Sequence, residues 1–323
     1  VFAIRATAID ADDPLAGLTL GEVPDTDVPE GWVRVRVRAA SLNHHDLWTL
    51  KGVGIREDRL PMILGCDAAG VLDDGSPVIV HAVVGDQLAG EGDETLDPRR
   101  SLLSELHPGT LAETVAVPAH NVLPKPDALS FADAACLPTA WLTAYRMLAT
   151  KSGLRPGDTV LVQGAGGGVA TAAISLARVM GFRVWATSRD AGKRTRAVEL
   201  GAHEAFETGA RLPERVDAVI ETVGEATWSH SLKALRPGGT VVVSGATTGS
   251  NPSADLSRVF FLQLTVRGST MGTRDELEAL VALMLESGTR PTVEATYDLR
   301  EGRAAFERLA SGDVVGKLVL TNG

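Results

Sequence analysis

After Gly31 the segment WVRVRVRAAS alternates apolar and charged side chains at period two, which predicts a strand with one face on a core and the other in water. A turn-rich stretch follows. Short apolar runs punctuated by Gly, Pro and Asp (ILGCDAAGVL, PVIVHAVVGD, LAETVAVP) then continue to Val117, the pattern of a compact β domain with few helices. Residues 85–108 are polar and weakly patterned and read as a surface loop or lobe. Beyond Ala134 the pattern changes. Strand-length apolar runs (TVLVQ, RVWAT, VDAVIE, TVVVSG) alternate with segments of helical period (VATAAISLARVMG, KRTRAVELG and a helix reaching Leu235), which predicts βαβ units around a parallel sheet covered on both faces. LTVRG adds a strand, and residues 275–287 form an amphipathic helix closed by Gly288. The tail (TYDL, a helix over residues 300–311, KLVL) carries no nucleotide turn and is expected to rejoin the first domain. The fold class is α/β: a β-rich domain plus a doubly wound, Rossmann-type domain.

A length of 323 residues favours two domains over one large core. No apolar run approaches the roughly 18 residues of a membrane span, so no membrane association is expected. The start VFAIRATAID lacks a basic-then-apolar leader, and Cys66 and Cys136 are too few for a disulfide framework; a reducing cytoplasm is the expected location. The formal charge of −10 would repel a nucleic-acid backbone, and no basic cluster offsets it. Only residues 189–196 (RDAGKRTR) are locally basic, either a solvated helix face or a small anion site.

The densest chemistry lies where the strand TVLVQ runs into Gly164, Ala165, Gly166, Gly167, Gly168, Val169 and Ala170 and then into a helix. Glycines let the backbone turn sharply and approach a pyrophosphate, whose charge meets the free N–H groups and positive dipole end of the helix. A purely structural glycine turn is the alternative, but the strand before it and the helix after it favour a dinucleotide. About 20 residues on, an Asp or Glu would bind the ribose 2′-hydroxyl of NAD. The chain instead has Ser188 and Arg189, with Lys193 one turn later, groups suited to the additional phosphate of NADP(H).

SLNHHDLWTLKG (residues 41–52), LGCDAAGV (64–71), LAETVAVPAHNVLPKPDALSFADAACLPTAWLTAY (111–145), the glycine turn, LRPGGTVVVSG (235–245) and GKLVL (316–320) together resemble the medium-chain dehydrogenase/reductase superfamily, in particular its quinone oxidoreductase-like, zinc-independent branch. The resemblance implies a GroES-like catalytic domain of residues 1–138 and 273–323, a Rossmann NADP(H)-binding domain of residues 139–272, a cleft between them and a homodimer. It assigns Thr143, Thr222, Val223, Gly245 and Ala246 to the ribose and nicotinamide, and brings Lys317 to the cofactor unless it is an exposed edge-strand lysine.

In zinc enzymes of this superfamily the metal is held by a Cys where this chain has Asn43, a His where it has Cys66, and a third ligand near Thr139. Asn is a poor zinc ligand, and residues 85–108 lack the four cysteines of a structural zinc lobe. No metal is expected. A site rebuilt from His44, His45, Cys66 and Asp67, and with it a zinc-dependent alcohol dehydrogenase, is the alternative. Without a metal, reduction of an activated C=C bond remains feasible if donors meet the developing oxyanion. Asn43 takes that position, or merely caps a turn, and His45 is the candidate proton donor. Trp48, Cys66, Trp141 and Tyr145 line the substrate pocket, although such aromatics also serve as core. Asp46 and Asp67 are expected to orient their neighbours. The expected reaction is NADPH-dependent hydride transfer to a small carbonyl-bearing molecule, a quinone, enone or 2-alkenal. An enoyl-thioester reductase and a non-catalytic NADPH-binding protein remain open.

Overall fold

A computed structural model describes residues 1–323. The chain forms two compact units. The first comprises Val1–Ala140, Met271–Ala282 and Val293–Gly323; the second comprises Trp141–Thr270 and Leu283–Thr292.

In the first unit the strand Trp32–Ser41 is the spine. Val35 and Val37 point into the core while Arg36 and Arg38 face outward, as the alternation predicts. One edge of this strand pairs with Asp67–Val71. Along the other, its first half pairs with Thr114–Pro118 and its last residues with the C-terminal strand Lys317–Thr321. The full sheet runs Val122–Pro124, Pro77–Val80, Asp67–Val71, Trp32–Ser41, Lys317–Thr321, Val293–Asp298. Lys317–Thr321 is therefore an interior strand, and Lys317 is not an edge-strand lysine. A second antiparallel sheet joins Leu18–Glu22, Phe2–Ala6 and Met62–Ile63. Phe306 of the helix Gly302–Ala310 is fully buried against this core, a contribution of roughly 1.5–3 kcal/mol.

Two local features differ from expectation. Residues after Ser41 are helical, not merely turn-rich. Asn43 is extended, the side chain of Asp46 accepts its backbone N–H at 2.8 Å, and Leu47 and Leu50 face inward along His44–Leu50. Residues 85–108 are more than a surface loop: Ser101–Leu102 pairs with Val83–Val84, and Glu94, Thr95, Asp97, Leu103 and Ser104 are buried.

The second unit is a six-stranded, wholly parallel sheet. Its order is Glu204–Phe206, Arg183–Thr187, Thr159–Val162, Val216–Glu221, Leu235–Val243, Thr265–Gly268. Numbered along the chain this is 3-2-1-4-5-6, the doubly wound order that places ligands beyond the strand ends where the winding reverses. All four residues of Thr159–Val162 are buried, as a central parallel strand requires.

Candidate active site

In the second unit the glycine turn follows Thr159–Val162 at the reversal point. Gly164 and Gly166 have φ of 71° and 144°, backbone conformations closed to most side chains. A Cβ on Gly164 would lie 2.6 Å from the Val223 side chain, and one on Gly166 would lie 2.9 Å from that of Lys193. Gly167, by contrast, faces open space, and it precedes the 12-residue helix Gly168–Val179, which has no acidic residue in its first turn. The turn therefore offers a bare, positively poised helix end, which fits a pyrophosphate.

The second cofactor element lies at the end of Arg183–Thr187. Ser188 is buried and Arg189 exposed, while Arg194 donates to the carbonyls of both at 2.8 and 3.0 Å and so fixes the turn that presents them. Asp190, the one carboxylate in this turn, accepts the backbone N–H of Lys193 at 2.7 Å and caps the helix Ala191–Glu199. Thr222, Val223, Gly245 and Ala246 come together at neighbouring strand ends, where Thr248 donates to the Val223 carbonyl and Gly224 abuts Ala246. Glu221, overlooked in the sequence, anchors this region. It is fully buried and accepts from the N–H groups of Val223 and Gly224 and the hydroxyls of Thr227 and Ser231. Ser231 links on to Gln163 and thence to Thr187, beside the glycine turn. Thr143 is buried in this unit, Trp141 is only 1 % exposed, and Tyr145 is half-buried, so Trp141 is a core residue and not a pocket wall.

In the first unit Asn43, Asp67 and Lys317 form one buried network. Lys317 Nζ donates to Leu42 O (2.7 Å), Asn43 Oδ1 (2.6 Å) and Asp67 Oδ2 (3.3 Å). Ser41 and the Asn43 amide also donate to Asp67 Oδ2, at 2.7 and 2.9 Å, whereas Asp67 Oδ1 has no partner. The second N–H of Asn43 makes only a 3.4 Å contact with Ser41 O. Lys317 has all three N–H groups engaged within its own unit. It serves Asn43 and Asp67, the placement the cofactor assignment did not foresee.

Asp46 is fully buried and ties Asn43 to Gly65: its two oxygens accept the backbone N–H of Asn43 and that of Gly65, the latter at 3.0 Å. Burial, opposed by His45 and the Asn43 N–H, pushes its pKa up to about 6. Cys66 is fully buried, packs on Ala82, Val83 and Met271, and so does not line an open pocket. His45 stands between Cys66 and Glu105, its Nδ1 3.4 Å from Cys66 Sγ and its Nε2 3.2 Å from Glu105 Oε1. Trp48 is half-buried beside the exposed His44.

Two family models match this chain: an alcohol dehydrogenase GroES-like domain over residues 29–127 and a zinc-binding dehydrogenase domain over residues 168–286. Acryloyl-coenzyme A reductase of Metallosphaera sedula is 30 % identical over 94 % of this chain and 96 % of its own. The chain belongs to the medium-chain dehydrogenase/reductase superfamily. Over 94 % of its length it is also 33 % identical to the spectinabilin polyketide synthase system protein NorB of Streptomyces orinoci, but it spans only 14 % of that much longer protein. A crystal structure described as an NAD-dependent alcohol dehydrogenase superposes with a TM-score of 0.92 at 34 % identity, covering 100 % of both chains.

Because this superfamily includes zinc enzymes, the donors at the site matter. The side-chain ligand atoms of His45, Asp46 and Cys66 lie within 4.8 Å of one another. Yet both Asp46 oxygens hold backbone N–H groups, and the two His45 nitrogens face Cys66 and Glu105. Neither His44, exposed, nor Asp67, engaged with Lys317, joins the cluster. The group does not fit the open, three-donor site of a catalytic zinc.

Proposed function

We propose that this chain is a zinc-independent, NADPH-dependent oxidoreductase that reduces a carbon–carbon double bond conjugated to a carbonyl, in a quinone, an enone or a 2-alkenal. The observation that supports this reading is the buried Asn43–Asp67–Lys317 network, in which Asn43 stands where the resemblance places a zinc-binding Cys. A bound nicotinamide supplies hydride. The chain's own groups then have to stabilise charge on the substrate oxygen and provide a proton. Lys317 and Asp67 fix the Asn43 amide, whose weakly held second N–H is the donor available to that oxygen. Ser188, Arg189 and Lys193 support the preference for NADPH by offering a hydroxyl and two cations to its 2′-phosphate. The buried, unpaired cysteines suit a reducing cytoplasm.

An enoyl thioester is the second reading, favoured by the likeness to acryloyl-coenzyme A reductase and to a polyketide synthase protein. NADPH oxidation measured against a panel of quinones, enones, 2-alkenals and enoyl thioesters separates the two. The expected result is turnover of conjugated carbonyls by metal-free protein; one tightly bound zinc per chain, required for turnover, overturns it. Arg189→Ala is expected to weaken NADPH by roughly tenfold or more while leaving NADH nearly unchanged. Equal loss of both refutes the phosphate assignment.

A further inference from the structure

Glu221 closes the strand Val216–Glu221 and is fully buried. Its Oε1 accepts the backbone N–H groups of Val223 and Gly224 at 2.8 and 3.1 Å, and its Oε2 accepts the Ser231 hydroxyl at 2.5 Å. Thr227 Oγ1 lies 2.9 Å from both oxygens. Thr227 and Ser231 stand one turn apart on the helix Glu225–Ala234, so both lie on the same face of it. Val223, held in this way, packs over the glycine turn: a Cβ on Gly164 would stand 2.6 Å from Val223 Cγ2.

From Ser231 a relay of hydrogen bonds runs back across the ends of three adjacent strands. A carboxylate only accepts, so the Ser231 hydrogen points to Glu221 and the Ser231 oxygen accepts from Gln163 Nε2 at 3.0 Å. The Gln163 amide is thereby oriented. Its carbonyl oxygen, 2.5 Å from the Thr187 hydroxyl, only accepts, so Thr187 donates and its oxygen is left to accept the Gly164 N–H at 3.4 Å. The second amide hydrogen meets His230 Nδ1 at 3.0 Å. That nitrogen accepts, and the ring hydrogen sits on Nε2, donated to Ala210 O at 2.9 Å. Thr187, Gln163, Ser231 and Glu221 are all fully buried, away from water that could interrupt the sequence.

We propose that Glu221 is a positioning residue for the dinucleotide: by directing every hydrogen of this relay it holds the glycine turn and the turn of residues 222–224 in the arrangement that receives the cofactor. This rests on the reading of the second unit as an NADPH site. Glu221→Gln keeps the shape and changes the polarity. With its carbonyl on Val223 and Gly224, the new amide aims its NH2 at Ser231, whose hydrogen must turn towards Gln163 and meets the NH2 already there. Relief requires the Gln163 amide to turn over. His230 Nδ1 then faces a carbonyl and must carry the hydrogen, while the Thr187 hydroxyl loses its acceptor. Glu221→Asp, in contrast, remains a pure acceptor.

Histidine ¹⁵N NMR on the full chain, in mildly alkaline buffer where imidazoles are neutral and with His230 assigned from its loss in His230→Gln, reads the direction of the relay. The wild-type ring is expected to carry its hydrogen on Nε2 and the Glu221→Gln ring on Nδ1. Titrations of nicotinamide fluorescence are expected to show NADPH and NADH weakened alike in Glu221→Gln, by roughly tenfold, because the relay holds the parts of the site that both share. Glu221→Asp should keep the hydrogen on Nε2 and recover part of the affinity. A residue serving the fold alone would lower the melting temperature and leave both readouts unmoved. If Glu221→Gln does not fold, Ser231→Ala cuts the relay and spares the Val223 and Gly224 bonds; it should mix the two His230 tautomers and weaken both cofactors. A wild-type hydrogen on Nδ1, unchanged dissociation constants in the folded variant, or no recovery in Glu221→Asp overturns the proposal. A wild-type chain that binds neither dinucleotide, while His230 responds as stated, overturns the reading of the site and the positioning role but leaves Glu221 as the group that orients the relay.

Discussion

A lysine ammonium with 3 % of its side chain exposed is tolerable only if its hydrogens are matched and its charge balanced, and Lys317 meets both conditions through Leu42, Asn43 and Asp67. Asp67, fully buried, has no other cation within ion-pair range, so removing Lys317 strands its charge. Lys317→Met is therefore expected to destabilise the chain by roughly 3–5 kcal/mol, whereas Lys317→Met with Asp67→Asn recovers a substantial part of that loss. Urea denaturation of the two variants checks this, and an additive double variant would show that the pair is not coupled. From the sequence Lys317 was legible as important but not as Asn43's neighbour. The two are 274 positions apart and meet only because Lys317–Thr321 inserts beside Trp32–Ser41.

Elements were legible where periodicity speaks. The alternation in WVRVRVRAAS and the buried runs TVLVQ and VDAVIE became strands, and the glycine turn appeared with helix and strand in the expected order. The helix His44–Leu50 was less visible because its start depends on a side-chain cap by Asp46, and residues 85–108 were obscure because polar contacts, not an apolar stripe, seat them. Two carboxylates from those residues reach histidines: Glu105 faces the partly exposed His45, and Glu94 lies 3.3 Å from the buried His81. Glu94 Oε1 also accepts the backbone N–H of Arg274 at 2.6 Å, at the start of the helix Arg274–Ser287. Burial opposes its ionisation, but His81 and that N–H outweigh it, so the carboxyl titrates below its ordinary 4.5. A depressed folded pKa contributes stability that is fully present above the unfolded value and is lost as pH falls through the folded one. Glu94→Gln should thus lower the melting temperature at neutral pH and flatten its decline below pH 4.5. Parallel melting-temperature profiles for the two proteins would show that Glu94 does not carry this linkage.

At the scale of the molecule, no helix is long and apolar enough to cross a membrane, and the formal charge is −10. The second unit ends in an unprotected edge. Thr265–Gly268 pairs on one side only, and its Val266 is 48 % exposed. The preceding helix Leu256–Phe261 leaves Leu256, Phe260 and Phe261 exposed, the last at 76 %, with the two phenylalanine rings 4.4 Å apart. A strand edge with free N–H and C=O groups beside exposed aromatics invites pairing. A copy related by a two-fold axis presents the same edge in the opposite direction, so antiparallel pairing continues the sheet and covers both apolar groups in one self-complementary contact. A stable interface of this kind needs about 1,200–2,000 Å² of buried surface, more than the strand alone can supply, which makes the aromatic helix the decisive part. Light scattering on the eluting protein is expected to give the mass of a dimer for the wild-type chain and of a monomer for Val266→Asp combined with Phe261→Ser, with the far-ultraviolet circular dichroism spectrum the same for both. A wild-type chain that elutes as a monomer, or a double variant that stays dimeric, places the contact between copies elsewhere.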